Sequence, residues 1–364
     1  ARRRAYAADM NLAHQAILQG DFGRAWSLLD RHRPTAERSD LRGWEWRYLW
    51  QVCQSDASFT FAQRPAFIPG MAISNAGTHL ATAETYRGPL ALWDVATKEI
   101  IAEVAAMSTS KWLKFSPDDS LLAYANVHAD GTPGVFLWSM HAQKIVQSLR
   151  LQSPCGGFDF GEAGNSLVVA EQDDPIDPSK GNRLLLWDLQ QDTASEIASI
   201  SFVPSFHAPP VIVSQDGTFA ICGGEGKEEA LFDTLYLVEV PSGRIRWSRE
   251  LQGEEVSAIA LSPDGTTIAA VNAYTPSPVQ LISVTDGSEL GRLSGHRSWI
   301  STLLFEPSGH RLFAASADRA IHVWDLASGD HLGRMHGHQQ EVWSLVYAQN
   351  SDRFLSGAKD GEIL

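Results

Sequence analysis

Three histidines fall within the run HLGRMHGH, at His331, His336 and His338. Neutral imidazole is a ligand for transition metals, so the trio is the first place to look for chemistry. Its spacing matches no required ligand pattern, because it straddles the end of a predicted strand and a loop. The segment QDDPIDPSKGNR brings Asp173, Asp174 and Asp177 together, yet it lacks the turn Gly and closing Glu of a calcium-binding loop and reads as a solvated acidic loop. In GGEGKEE a Gly-Lys pair ends at Lys227, but a phosphate loop would need Gly at Ile221 and Ser or Thr at Glu228. Neither GxSxG nor HExxH occurs. No catalytic residue, cofactor or metal is therefore expected, and a hydrolytic site built from scattered Asp and His is a minority reading.

The elements that must position these residues are marked by a repeat. Seven turns, SNAG, SPDD, GEAG, SQDG, SPDG, EPSG and AQNS, end at Gly77, Asp119, Gly164, Gly217, Gly265, Gly309 and Ser351, spaced by 42, 45, 53, 48, 44 and 42 residues. Each lies between two apolar runs, and each unit closes on Trp-Asp or a worn copy of it: Trp93-Asp94, Trp138, Trp187-Asp188 and Trp324-Asp325, with Val238-Glu239 and Ile282-Ser283 where the Trp is lost. Gly-His opens a unit clearly only at Gly295-His296 and Gly337-His338. A period in the forties with GH…WD is the length of one four-stranded propeller blade. The fold class is thus mainly β, a seven-bladed propeller in which the fourth and fifth blades are degenerate.

Residues 57 to 364 resemble the WD-repeat family on these motifs. In that family His, Ser or Thr, Asp and Trp form a hydrogen-bonded tetrad within a blade. The resemblance implies His296, Ser316, Asp318 and Trp324 for blade six, and His338, Asp360 and either Ser356 or no hydroxyl for blade seven. The other blades lack Gly-His and are expected to depend on apolar burial. The 42-residue offset places the next Trp-Asp near position 366, so Leu364 should fall inside the third strand of blade seven. ASFTF, Ala57 to Phe61, is the segment expected to close the ring as that blade's outermost strand.

A chain of 364 residues with 44% hydrophobic content can bury a large core, and 29 Gly and 17 Pro suit short strands joined by tight turns. Cys53, Cys155 and Cys222 are too few and scattered for a disulfide framework or zinc site and read as buried or half-buried thiols. No run of eighteen apolar residues and no signal-peptide pattern occurs, so this stretch is not expected to insert into a membrane. Residues 1–55 carry nine Arg against six acidic residues, while the remainder carries a net −17. An acidic propeller is a poor match for nucleic acid.

The first 55 residues read as helical. Tyr6, Met10, Ala13 and Ile17 share one face, Gly20-Asp21 breaks the helix, and Phe22, Ala25, Trp26 and Leu29 form a second stripe, a hairpin resembling one tetratricopeptide unit. Beyond it, Trp44, Trp46, Tyr48 and Trp50 spread around a third helix, which is expected to pack between the hairpin and the propeller. The domain reading is therefore 1–55 for hairpin plus anchor helix and 56–364 for the propeller. The strings YAADMNLA, GDFGRAWSLLDRHRP and DLRGWEWRYLW also resemble the segment joining the membrane anchor to the WD repeats in large bacterial serine/threonine protein kinases. That resemblance implies the C-terminal sensor or scaffold part of such a kinase, or a free-standing relative. No Gly-rich loop before a strand Lys and no HRD loop accompanies it here.

Binding is then the expected role. Connections from second to third strand are enlarged in blades two to five, as VHADGTPG, QDDPIDPSKGNR, EGKEEALFDT and NAYTPSPV. They form one continuous rim, and loops on a rigid scaffold are where binding residues collect. The candidate partner face comprises Asp173, Asp174, Asp177, Lys180, Arg183, Lys227 and Tyr274, with Trp299 and Trp343 as aromatic anchors or, alternatively, core. The expected partner is a protein or peptide. The runner-up is an independent propeller enzyme or small-ligand binder using Asp173, Asp174 and Asp177 around a cation at the channel mouth.

Overall fold

The computed structural model describes residues 2–18, 22–34, 40–52, 57, 59–84, 88–104, 111–161, 163–172, 183–200, 211–225, 233–251, 256–273, 277–348 and 353–364. Three helices come first, α1 (Arg2–Leu18), α2 (Phe22–Asp30) and α3 (Trp44–Val52). Tyr6, Met10, Ala13 and Ala16 of α1 meet Ala25, Leu28 and Leu29 of α2 and Trp46 and Leu49 of α3, the helical spacing that makes one apolar stripe on each. The Trp46 indole N–H donates to the Leu29 carbonyl at 2.9 Å, and Trp50 stacks on Trp46 at 4.8 Å. Tyr6 ties α1 to the start of α3, its hydroxyl donating to Glu45 and accepting from the Gly43 N–H.

The third helix departs from expectation. Trp46 and Trp50 face the hairpin, but Trp44 is 78% and Tyr48 58% exposed, and among the described residues the apolar cluster of the helices contains none from the propeller. Aromatic residues on every side of a short helix do not by themselves say which side is covered. Here it is the side that can join the α1–α2 stripe.

Residues 62–364 supply seven four-stranded antiparallel sheets. Six follow chain order, a to d: blade one within 70–104, two within 113–150, three within 155–199, four within 211–250, five within 256–293 and six within 300–336. Blade seven takes strands a (Val342–Ala348), b (Arg353–Ala358) and c (Glu362–Ile363) from the end of the chain and its outermost strand from Ala62–Gln63. Pairs Ala62↔Ile363 and Gln63↔Glu362, flanked by Phe61 N–H to Ile363 and Arg64 N–H to Gly361, close the ring. The closing strand thus lies just beyond the expected Ala57 to Phe61, because Phe61 is drawn into the core against Trp93, Ile68 and Leu355.

The degenerate blades are complete sheets, with Val238 and Ile282 fully buried where Trp stands elsewhere. Burial, not the indole, is what that position requires. Strands b are buried almost throughout, whereas strands d alternate toward solvent, as in 144–150 and 245–250. Apolar clusters accordingly lie between adjacent blades, one joining Leu122, Tyr124 and Phe136 of blade two to Leu90 and Leu92 of blade one.

The repeated turns owe their shape to a serine and an aspartate. Ser116, Ser214 and Ser262 each donate to the carboxylate two residues on, at 2.6, 2.6 and 2.5 Å, and accept the N–H that begins strand b. The residue after the aspartate has positive φ, which Gly217 and Gly265 adopt without cost. Asp119 adopts it too, at 61°, and its carboxylate accepts the Asn75 and Ala76 N–H groups of the neighbouring blade's turn.

Candidate functional site

In an antiparallel meander the b–c connections and the connections from d to the next a emerge at the same end of the ring. Of the four enlarged b–c loops, the structure describes that of blade two. There the chain turns between His128 and Thr132, the Asp130 carboxylate meets Arg150 at 2.7 Å, and the His128 ring lies 4.6 Å from Phe136. Asp173, Asp174, Asp177, Lys180, Lys227 and Tyr274 lie outside the described residues, as does Cys53. Cys155 and Cys222 are free, and burial pushes the Cys222 thiol up to about 12.

Arg183 begins strand c of blade three and its guanidinium holds Glu171, a fully buried carboxylate, with Nε–H donating at 2.7 Å. The second Glu171 oxygen accepts the Gln152 N–H at 2.6 Å. A buried charge needs such a partner, so Arg183 is engaged by the fold. Arg64, from the closing strand's end, holds buried Glu84 of blade one in the same way at 2.5 Å. Glu171 is the last residue of strand b, opposite Cys155, and the matching place holds Asn272 opposite Val256, Ser316 opposite Ile300 and Ala358 opposite Val342. The position is polar in three of these four blades, and of its residues only Ser316 is among the expected site residues, together with Arg183, the partner of Glu171. Its signal is a single acid or amide ending an otherwise apolar run.

Trp299 and Trp343 are half-buried and meet edge to face at 4.8 Å, and Phe67 meets Trp343 at 4.8 Å. The Trp343 indole N–H donates to Glu341. The row crosses from blade six through blade seven to the approach to blade one.

Blade seven brings its predicted residues together. His338 Nε2 lies 2.8 Å from Ser356 Oγ and Nδ1 lies 3.3 Å from Asp360, which also accepts the Gln339 and Glu362 N–H groups. Burial pushes the Asp360 carboxyl up, but the His338 hydrogen bond and charge more than offset it and leave the group below its usual range. Glu362 beside it is raised, by burial first and then by Asp360. The donor atoms of His338, Asp360 and Glu362 are within 4.8 Å of one another, yet His338 has both nitrogens engaged and Asp360 caps backbone N–H groups.

Blade six forms only part of the expected set: Ser316 Oγ accepts the Asp318 N–H at 3.2 Å, but neither residue is hydrogen-bonded to His296 or Trp324. The Trp324 indole donates to the Ser294 carbonyl at 2.7 Å, and Ser316 Oγ donates to the Trp299 carbonyl. The 42-residue offset that carries His338 onto His296 and Asp360 onto Asp318 carries Ser356 onto Ala314, not Ser316. Without a hydroxyl there, His322, cross-strand partner of Ala314, occupies the space and binds Asp318 through Nε2 at 2.9 Å and His331 through Nδ1 at 3.0 Å. Neither ring nitrogen of His296 has a side-chain hydrogen-bond partner, while the Ser277 backbone favours the charged ring. Burial, with the nearby His322, holds His296 down at about 4. Of the histidine trio, His331 thus joins His322, whereas His338 joins Ser356 and Asp360, so these two serve different clusters.

A cleft of about 300 Å³ opens between blades six and seven, walled by Ile321, Met335, Phe354, Phe59 and Leu364. No described helix is long and apolar enough to cross a membrane.

The family model for the WD domain, G-beta repeat, matches residues 287–325 and 329–364. The chain is 25% identical to WD repeat-containing protein 90 of Homo sapiens over 75% of its length and 18% of that protein's. It is 27% identical to the nuclear distribution protein PAC1 of Arthroderma otae, over 48% of this chain and 38% of the relative. The chain therefore spans less than half the length of either. Matched repeats, together with a ring of seven four-stranded blades, fit a WD-repeat protein.

Proposed function

We propose that this chain is a non-catalytic scaffold or sensor module whose partner, a protein or peptide, docks on the face where the b–c and d–a connections gather. WD-repeat propellers are generally interaction scaffolds, and the chain is similar to a WD repeat-containing protein. The observation that carries the reading is the half-buried row Phe67, Trp343 and Trp299 on the end that also bears four successive enlarged loops. Half-buried aromatic rings on a rigid frame offer contact area at little cost in conformational entropy. Full-length chain and a version with the loops within 172–183 and 225–234 shortened are used as baits in its source cells. A partner retained by the first and lost from the second, with unchanged melting, supports the reading; equal retention by both overturns it.

The finer reading assigns residues 1–55 to a tetratricopeptide-like hairpin plus anchor helix, and the whole chain to the C-terminal part of a bacterial serine/threonine kinase signalling protein. It rests on the N-terminal strings given above. Reading the coding sequence upstream tests it. A kinase domain followed by a membrane span sustains the assignment, and an initiator codon next to residue 1 removes it.

A further inference from the structure

The helical unit presents a face that the fold leaves open. Trp44, Arg47, Tyr48 and Gln51 follow helical spacing along α3 and are all exposed, Trp44 to 78% and Tyr48 to 58%, whereas Trp46 and Leu49 behind them are buried against α1 and α2. The Tyr6 hydroxyl, bonded to Glu45 at 2.8 Å and to the Gly43 N–H at 2.9 Å, brings the first turn of α1 to the start of that face. Arg2 and Arg3, four and three residues before Tyr6, stand on its side of α1 and are exposed. The acids nearby are engaged: Glu45 by Tyr6, Asp40 by Arg42 at 2.9 Å and Asp9 by His32 at 2.7 Å. The face is therefore aromatic and positive, on a chain whose residues 56–364 carry a net −17.

The residue types decide the class of partner. Trp and Tyr with Arg between them, in place of Leu or Phe, are the mixture that settles at the headgroup level of a bilayer, where an amphipathic ring keeps its polar edge in water and a guanidinium meets lipid phosphate. The outer side of a single helix is convex and offers no groove for a peptide. We infer that this face of α3, with the first turn of α1, adsorbs to an anionic lipid surface, its rings at headgroup depth and no segment crossing the bilayer. The acidic propeller is repelled by the same surface, so the helices and not the ring make the contact. One short face gives reversible, salt-sensitive adsorption, not stable anchoring.

Full chain is mixed with vesicles of phosphatidylcholine alone, and with vesicles in which one lipid in three is phosphatidylglycerol, and the bound fraction is read by flotation. Binding is expected to the second kind alone and should be lost as salt is raised. Trp44→Ala should weaken it by about tenfold and Arg47→Gln by about fivefold, with the melting transition unchanged because both side chains are exposed. Leu332→Ala, at a 54% exposed apolar site on the outermost strand of blade six, should change nothing. Arg47→Gln decides the matter should Trp44→Ala loosen the helices. No binding to either vesicle, equal binding to both, binding indifferent to Trp44→Ala and Arg47→Gln, an equal loss with Leu332→Ala, or capture of soluble poly-glutamate in place of vesicles would each overturn the inference.

Discussion

Blades six and seven begin with the same Gly-His and turn on equivalent aspartates, yet their polar interiors differ. In blade seven His338 joins Ser356 to Asp360 in a satisfied chain. In blade six one missing hydroxyl, at Ala314, leaves room for His322, which takes Asp318 and leaves His296 without a side-chain partner. The comparison teaches that a motif specifies a network only when every member is present, because a buried imidazole must find a partner or lose free energy.

The largest expected effect comes from breaking the satisfied blade. Asp360→Ala removes the acceptor of His338 and of the Gln339 and Glu362 N–H groups, all part-buried or exposed at one edge. Losing one partner of a buried charged hydrogen bond leaves the other unpaired, and the cost should be about 3 kcal/mol in urea unfolding. Ser356→Ala, which unpairs only Nε2, should cost about half as much. Equal and negligible losses for both would mean that the network carries no stability.

A sharper test converts one blade into the other. Ala314→Ser alone crowds His322, and His322→Leu alone takes from Asp318 its histidine partner, so each should destabilise by about 1–2 kcal/mol. Together they reproduce the Ser356 and Leu364 pairing of blade seven and free Asp318 for His296. The double variant should be more stable than the sum of the two singles by about 1–2 kcal/mol in a double-mutant cycle. Strict additivity would show that the hydroxyl is not what separates the blades.

Much of this architecture was legible, and the failures have physical causes. Turn spacing located all seven blades, including those where Val238 and Ile282 replace Trp, since period survives loss of the marker. Ser316 is the one hydroxyl residue in strand b of blade six, and because residues two apart on a strand share a face, side-chain period alone does not fix which position the family hydroxyl takes. The 42-residue offset from Ser356 does choose, and His322 then follows as the residue opposite Ala314. The Arg64–Glu84 pair was hidden for another reason: its arginine belongs to the ring closure, a contact made only when the chain's two ends meet. The exposed side of α3 was undetermined by its pattern, as Trp44 and Trp46 are equally apolar.

Acid should separate the two blades as well. Folded His296 takes its proton only near pH 4, against an ordinary 6.5. As pH falls below about 6.5 the unfolded chain binds more protons than the folded one, so stability present at neutral pH is lost progressively until about pH 4. At about 1.4 kcal/mol per pH unit, moving from pH 7.5 to 5 should cost up to about 2 kcal/mol through this group. His296→Leu should flatten that part of the urea-unfolding profile, and an unchanged slope would mean that another group titrates.

Blade one supplies the smallest and most discriminating effect. Thr82 stands where Ser356 does in blade seven, and it accepts the Trp93 indole N–H at 3.0 Å, although no Gly-His opens that blade. Half of the network thus survives without its histidine. Thr82→Val keeps the shape and removes the acceptor, leaving a buried indole N–H unpaired, which should cost about 1 kcal/mol. In blade six Trp324 already donates to the Ser294 carbonyl, so Ala314→Val there should show only a packing penalty and no change in Trp324 hydrogen exchange. If Thr82→Val leaves both stability and Trp93 N–H exchange unaltered, the hydroxyl position is a packing site in every blade, and the contrast between six and seven reduces to the space available for His322.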